Sequence, residues 1–342
     1  MTRLEPPPPV DPDASAPPLA VPPAHPRRVV YFGTPEIAVA PLRALHAAGH
    51  EIALVVTRAD KKRGRGSALV PSPVKAAAVE LGLPVTHEPA DAAAVGADLG
   101  IVVAFGRILR RSLLEQLPML NLHFSLLPRW RGAAPVERAI LAGDAQTGVD
   151  LMAVEEGLDT GGIYAEAVLE IGAHETADEL RVRLVEAGTR LLLETLEAGI
   201  GEPRPQVGDT VYAEKLDATE LEIDWTRPAH EIERLVRIGG AWTTFRGRRL
   251  KVWRVHVHPQ GSGAHLQVAD GGRGEPAATG SEPMATGRGG TMNDLRVATG
   301  DGSIELLEVQ PEGKGHQDAV AWARGARPDA GERLGRSAEA SP

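Results

Sequence analysis

The chain contains no cysteine, which excludes disulfides, thiolate nucleophiles and cysteine-ligated metals. No apolar run approaches the roughly 20 residues that span a bilayer. The first residues, MTRLEPPPPVDPD, carry no apolar signal core. A soluble, cytoplasmic chain with no membrane partner is expected. After the first strand-like run the sequence reads Gly33-Thr34-Pro35 rather than G-x-G-x-x-G, so a Rossmann-like sheet here should bind something other than NAD. No G-x-S-x-G surrounds Ser125, so a serine nucleophile is not expected. His256 and His258 are spaced i, i+2 without a third histidine or a carboxylate at ligand spacing, so no metal site is expected.

What is present is a chain of 342 residues, 42% of them apolar, enough for two domains at roughly 150 residues each. Its formal charge is −9, which by itself disfavours a polyanionic partner. Two local clusters run against that average. Between residues 57 and 75 six cations (Arg58, Lys61, Lys62, Arg63, Arg65, Lys75) face a single acid, Asp60. The stretch FRGRRLKVWR at 245–254 carries five cations and no acid. Either cluster alone reads as a solvated face; two of them on an acidic chain point to a restricted contact with an anionic ligand or nucleic acid.

Residues 1–26, rich in Pro and Ala, are expected to form a disordered tail. Buried-strand patterns follow at 27–33, 51–57 and 99–105, with a short one at 84–86 and helical patterns between them. Thr34 and Pro35 are placed as N-cap and first residue of the first helix. Strands alternating with helices predict a mostly parallel α/β sheet. Further strands are expected at 121–124, 150–154 and 164–169, and a long helix at 177–196 with Leu180, Leu184, Ala187 and Leu191 at helical spacing. Beyond Glu202-Pro203-Arg204-Pro205 the pattern changes to short strands at 211–215, 250–256, 295–298 and 304–309, with a helix at 230–237. This predicts a small β-barrel. Residues 271–291 hold almost no large apolar side chains and are expected to be a mobile loop.

The chemistry centres on 121–136, NLHFSLLPRWRGAAPV. Asn121 and His123 sit at i, i+2, so on an extended backbone they point to the same side. Pro128 then ends the strand. His can give or take a proton near neutrality, and an Asn amide can donate to an oxyanion without changing charge. Asp159, in the glycine-dense loop Gly157-Leu158-Asp159-Thr160-Gly161-Gly162, could orient that His and relay protons. The trio suits addition of an amine to a carbonyl carbon. Each member also has a plain structural reading: His at a strand end, Asp as a local Asx hydrogen bonder. Spacing alone does not bring Asp159 to His123.

The run Asn121-Leu122-His123-Phe124-Ser125-Leu126-Leu127-Pro128 resembles the N-x-H-x-S-L-L-P signature of enzymes that use 10-formyltetrahydrofolate. With RWRGAAP at 129–135 and GLDTG at 157–161 it is similar to the methionyl-tRNA formyltransferase family. Phe32-Gly33-Thr34-Pro35, Gly64-Arg65-Gly66 leading to Pro71-Ser72-Pro73-Val74-Lys75, Val103-Ala104-Phe105-Gly106, Tyr212-Ala213-Glu214-Lys215-Leu216, Ile223-Asp224-Trp225 and Gln310-Pro311-Glu312-Gly313 agree with it in order. The chain departs from the family pattern at Gly239-Gly240-Ala241-Trp242, where N-P-W-P-like residues are usual, and after Gly313-Lys314-Gly315.

The resemblance implies a Rossmann-like formyltransferase domain over 28–204, a linker over 205–217, and a small OB-like β-barrel over 218–335 that helps hold tRNA. It implies Asn121, His123 and Asp159 as the catalytic residues. Folate would lie against Ser125, Leu126, Leu127 and Pro128 and against backbone near Val103, Ala104, Phe105 and Gly106. Lys61, Lys62, Arg63 and Arg65, then Arg246, Arg248, Arg249 and Lys251, would meet tRNA. The implied reaction moves the formyl group of 10-formyltetrahydrofolate to the α-amine of methionyl initiator tRNA on a monomeric, metal-free enzyme. A small amine acceptor is the alternative; it would not need the basic clusters.

Overall fold

The computed structural model describes residues 18–62, 69–258, 290–293, 295–329 and 331–335. The apolar run after Arg27 forms β1 (Arg28–Gly33), buried at every position from Val29 onward, as in a strand covered on both faces. A 3₁₀ turn (Glu36–Ala38) leads into α1 (Val39–Ala47). Thr34 does not cap this helix: its hydroxyl donates to the Phe105 carbonyl, and Pro35 occupies the N-cap position of the turn. Strand β2 (Glu51–Val56) follows. Helix α2 (Pro73–Glu80) starts as its sequence dictates: the Ser72 hydroxyl accepts from Lys75 N at 3.0 Å and Pro73 needs no amide partner.

The chain continues through β3 (Val85–Thr86), β4 (Leu99–Val103), β5 (Met119–His123), α3 (Pro135–Ala142), β6 (Gln146–Ala153), β7 (Ile163–Glu170) and the 22-residue α4 (Ala177–Ala198). The sheet order is β7-β6-β5-β4-β1-β2-β3. Strands β1 to β5 pair in parallel, while β6 runs antiparallel to β5. The expected mostly parallel α/β sheet is therefore what forms. Chain order reverses between β1 and β4, and such switch points open a crevice at the carboxyl ends of the strands.

The chain divides into two compact units, Met1–His123 with Val149–Ala167 and Val185–Asp209, and Phe124–Gly148 with Val168–Leu184 and Thr210–Pro342. In the first, one face of the sheet packs Val30, Phe32, Leu54, Val56, Val102, Phe105, Leu113 and Met119 into a core. The chain joins this core before residue 26. Leu19 packs against it, Ala20 N donates to Leu114 O, and Ala24 O accepts from Ile200 N. Of the segment expected to be a disordered tail, residues 18–26 are thus pinned by backbone hydrogen bonds, and 1–17 lie outside the described residues.

The second unit contains α5 (Ala229–Arg237), β8 (Trp242–Phe245), β9 (Arg248–His258), β10 (Gly290–Asn293), β11 (Arg296–Ala298), β12 (Ser303–Pro311), α6 (Ala319–Ala326) and β13 (Arg333–Leu334). The antiparallel order is β8-β9-β12-β11-β10-β13. Register shifts in β9 around Arg254 add the twist that curls a sheet. Gly335 N reaches Thr244 O at 2.8 Å, bringing the last strand back towards the first in a half-barrel. Helix α5 turns Ala229, Ile232 and Val236 inward at the i, i+3, i+7 spacing of an amphipathic helix. They join Trp225, Leu250, Val252, Ile304, Leu306 and Trp322 in this unit's core.

Two strand assignments are corrected. The strand at Tyr212–Ala213 does not belong to the half-barrel; it pairs in parallel with Arg131–Gly132, whose carbonyl-facing glycine leaves no room for a Cβ beside Ala213 O at 2.9 Å. Residues 290 and 291, placed in the mobile loop, form β10 and pair with Leu334 and Arg333; residues 271–289 lie outside the described residues. No helix among the described residues is long and apolar enough to cross a membrane.

Candidate active site

The fold places three of the chemistry-bearing side chains together. Asn121 and His123 end β5 on one face, opposite Met152 and Asp150 of antiparallel β6. His123 is 5% exposed. Asp159 comes from the loop that joins β6 to β7, and its Oδ2 stands 3.6 Å from His123 Nδ1. That is beyond a direct hydrogen bond but within ion-pair range once the imidazole is protonated, in surroundings of reduced dielectric. The long sequence gap between His123 and Asp159 is closed by the β5–β6 ladder.

The loop is tightly constrained. Asp159 has φ 51°, a left-handed conformation that non-glycine residues seldom adopt. A Cβ on Gly161 would lie 2.0 Å from Ala153 O, so only glycine lets the loop fold onto the end of β6. There Ala153 N donates to Gly162 O at 2.8 Å. Gln206, in the stretch assigned as linker, donates through Nε2 to Asp159 O and Gly161 O, both at 2.8 Å.

Val103, Ala104, Phe105 and Gly106 leave the carboxyl end of β4, with Val103 in register with Leu122 of β5. Ala104 and Gly106 have φ 45° and 72°, a bent backbone at the sheet's switch point. Phe105 packs edge-on against Phe32 at 5.5 Å.

Ser125, Leu126, Leu127 and Pro128 belong to the second unit. Ser125 is fully buried, and its hydroxyl donates to Arg129 O at 2.6 Å, closing the turn; the Leu127–Pro128 bond is cis. Arg129 grips Asp144 with two nitrogens, at 3.0 and 2.7 Å, and lies over the Trp130 ring. Trp130 Nε1 donates to the same carboxylate. The hydroxyl of Ser125 is thus committed as a donor, and Arg129 is held by Asp144, raising its already high pKa.

The basic residues separate by environment. Lys61 and Lys62 are exposed on a two-residue ladder with Leu69–Val70; Arg63 and Arg65 lie outside the described residues. Arg249 lies 4.1 Å over the Trp242 ring and Lys251 5.6 Å over Trp253. Arg248 makes only a loose 3.8 Å pair with Glu312. Arg246 is engaged within the half-barrel, bidentate on Glu332 at 2.6 and 2.8 Å and on the Ala326 and Arg327 carbonyls. That pairing holds the Glu332 carboxyl below its usual range. Among the described residues no group of three or more His, Asp or Glu side chains could hold a metal ion.

Sequence reasoning missed Gln206 and Asp150. Gln206 carried no local signal, because its partners lie some 45 residues earlier. Asp150, fully buried across from His123, did carry one: a carboxylate inside an apolar strand, where burial demands compensation.

A formyl transferase family model matches residues 27–196, and one for the formyl transferase C-terminal domain matches 215–327. The methionyl-tRNA formyltransferase of Paracoccus denitrificans is 43% identical over 319 residues, covering 88% of this chain and 99% of that one. HypX from Aquifex aeolicus, solved with tetrahydrofolic acid, superimposes with a TM-score of 0.56 at 17% identity over 90% of this chain; the chain spans 49% of HypX. Methionyl-tRNA formyltransferase from Clostridium thermocellum gives a TM-score of 0.51 at 15% identity, over 67% of this chain and 92% of that one. At those identities the two structures speak to the fold alone, whereas the identity to the Paracoccus enzyme runs through both matched domains. The chain belongs to the methionyl-tRNA formyltransferase family.

Proposed function

We propose that this protein transfers the formyl group of 10-formyltetrahydrofolate to the α-amine of methionine esterified to initiator tRNA. The observation that carries the reading is the Asp159–His123 approach at the end of β5, with Asn121 on the same face. The amine attacks the formyl carbon, and its C=O electron pair moves onto oxygen. The Asn121 amide and protonated His123 donate to that oxyanion. Asp159 balances the imidazolium and receives the ammonium proton through water. Collapse of the tetrahedral adduct breaks the bond to N10 of the folate, which takes up a proton and leaves as tetrahydrofolate. The bent backbone of Val103, Ala104, Phe105 and Gly106 and the turn at Ser125, Leu126, Leu127 and Pro128 supply the folate contacts.

The tRNA contacts are Lys61, Lys62, Arg63 and Arg65 in the first cluster and Arg248, Arg249 and Lys251 in the second. Arg246, already spent on Glu332, serves mainly to hold the half-barrel. Phosphate contacts need such cations, and Arg249 and Lys251 over tryptophan rings present their charge on a rigid platform.

Labelled formyl from 10-formyltetrahydrofolate should appear on charged initiator tRNA, offered beside small amines including a glycinamide ribonucleotide and amino-sugar nucleotides. Label on a small amine alone would overturn the tRNA assignment and leave the trio standing. Changing Arg248, Arg249 and Lys251 together to Ala should raise KM for the tRNA with kcat little changed, and flatten its salt dependence by about one unit of log–log slope per lost phosphate contact. A KM that stays put would remove the half-barrel from the tRNA site.

A further inference from the structure

We propose that Gln206 is a positioning residue for formyl transfer, acting from behind the Asp159 loop to fix where the carboxylate stands. The inference rests on the role given to Asp159 above. A glutamine amide nitrogen has two protons, and here they serve two carbonyls, Asp159 O and Gly161 O, each at 2.8 Å. Those carbonyls flank Thr160, so one side chain closes the turn that aims Asp159. Leu158, next to Asp159, is 59% exposed, and Asp159 itself keeps an unfavourable left-handed backbone, a conformation that persists only when its surroundings enforce it.

The backbone that carries Gln206 is itself anchored. Ile163 and Arg204 exchange both backbone hydrogen bonds, N to O at 2.8 Å and 2.9 Å, and the Arg204 guanidinium pairs with Glu166 at 2.7 Å. The segment past Glu202-Pro203 is thus a short strand-like strap laid against the start of β7, with its glutamine reaching back into the catalytic loop. The chemistry explains the residue type. Two carbonyl oxygens need donors, which leucine does not have and a glutamate carboxylate would repel. Asparagine is one methylene shorter, so it cannot reach both oxygens from the same backbone.

The test is steady-state formyl transfer by the full chain carrying Gln206→Leu, Gln206→Glu and Asp159→Ala, alone and combined. Gln206→Leu should lower kcat by about 10-fold or more, the scale of displacing a reacting group by a fraction of an ångström to 1 Å. KM for folate and tRNA should stay within about 2-fold, and a circular dichroism melt matching that of the parent enzyme excludes a smaller folded fraction as the cause of the loss. Gln206→Glu should lose at least as much. In an Asp159→Ala background, Gln206→Leu should have no further effect, because groups that act as one unit are not additive. Hydrogen exchange at residues 157–163 should quicken in Gln206→Leu. Full turnover in Gln206→Leu, or the same loss with Asp159 already removed, overturns the positioning role while leaving Asp159 in place. Full turnover in Asp159→Ala removes Asp159 from the reaction, and the positioning role with it.

Discussion

Turnover of the His123→Ala enzyme should fall by about 10²-fold or more, and that of Asn121→Ala by a similar factor, the scale for losing one oxyanion donor. Both side chains leave the end of β5 towards the same face, so under the proposed mechanism each loss removes one donor to the developing oxyanion. His123 should be the costlier of the two. It is buried and faces Asp159, so its removal also takes away the imidazole neighbour of that carboxylate in a poorly solvated site. KM for both substrates should change little, since the contact strengthens only as charge develops on the formyl oxygen. The check is kcat and KM for each variant beside a circular dichroism melt. Near-normal kcat with an unchanged melt would end the assignment for that residue.

The second large effect is structural. Trp225→Ala should destabilise the half-barrel unit by about 3–5 kcal/mol, the range for truncating a buried aromatic. Trp225 is 2% exposed, among the largest fully buried side chains of the protein, and lies in the core with Ile223, Ile232, Leu250 and Val309. Its Nε1 donates to the buried Thr243 Oγ1 at 3.0 Å, so the substitution opens a cavity and strands a hydroxyl as well. Trp225→Phe keeps a six-membered ring but loses the donor and the rest of the indole volume, and should cost less, about 1–3 kcal/mol. Chemical denaturation followed by hydrogen exchange in β8, β9 and β12 reads both. Equal effects from the two variants would mean that ring volume contributes nothing.

Much of this was open to reading residue by residue. The run VVYFG announces a strand buried on both faces, since no polar residue interrupts it and the helices that follow must cover it. Ser72-Pro73 states a helix start outright, and the structure uses both signals. Thr34-Pro35 looked equally good and was not used, because the hydroxyl found a better partner in the Phe105 carbonyl 71 residues away. A cap signal is local, whereas its competitor was tertiary. Tyr212–Ala213 failed for the same reason: a two-residue strand has no preference of its own and takes whichever edge is offered, here Arg131–Gly132.

The sequence by itself determined most strands and helices of the first sheet, its mostly parallel pairing, and the face that Asn121 and His123 share, because strand periodicity and apolar runs depend only on near neighbours in the chain. It also carried the family signature through both domains. Only the tertiary structure decided which carboxylate meets His123, that Arg246 belongs to Glu332, and that a glutamine in an apparent linker bonds to the loop that carries Asp159. Each of those is a contact between residues 36 to 86 positions apart, and such contacts are set by which strands pair and where loops fold back, which no local pattern records.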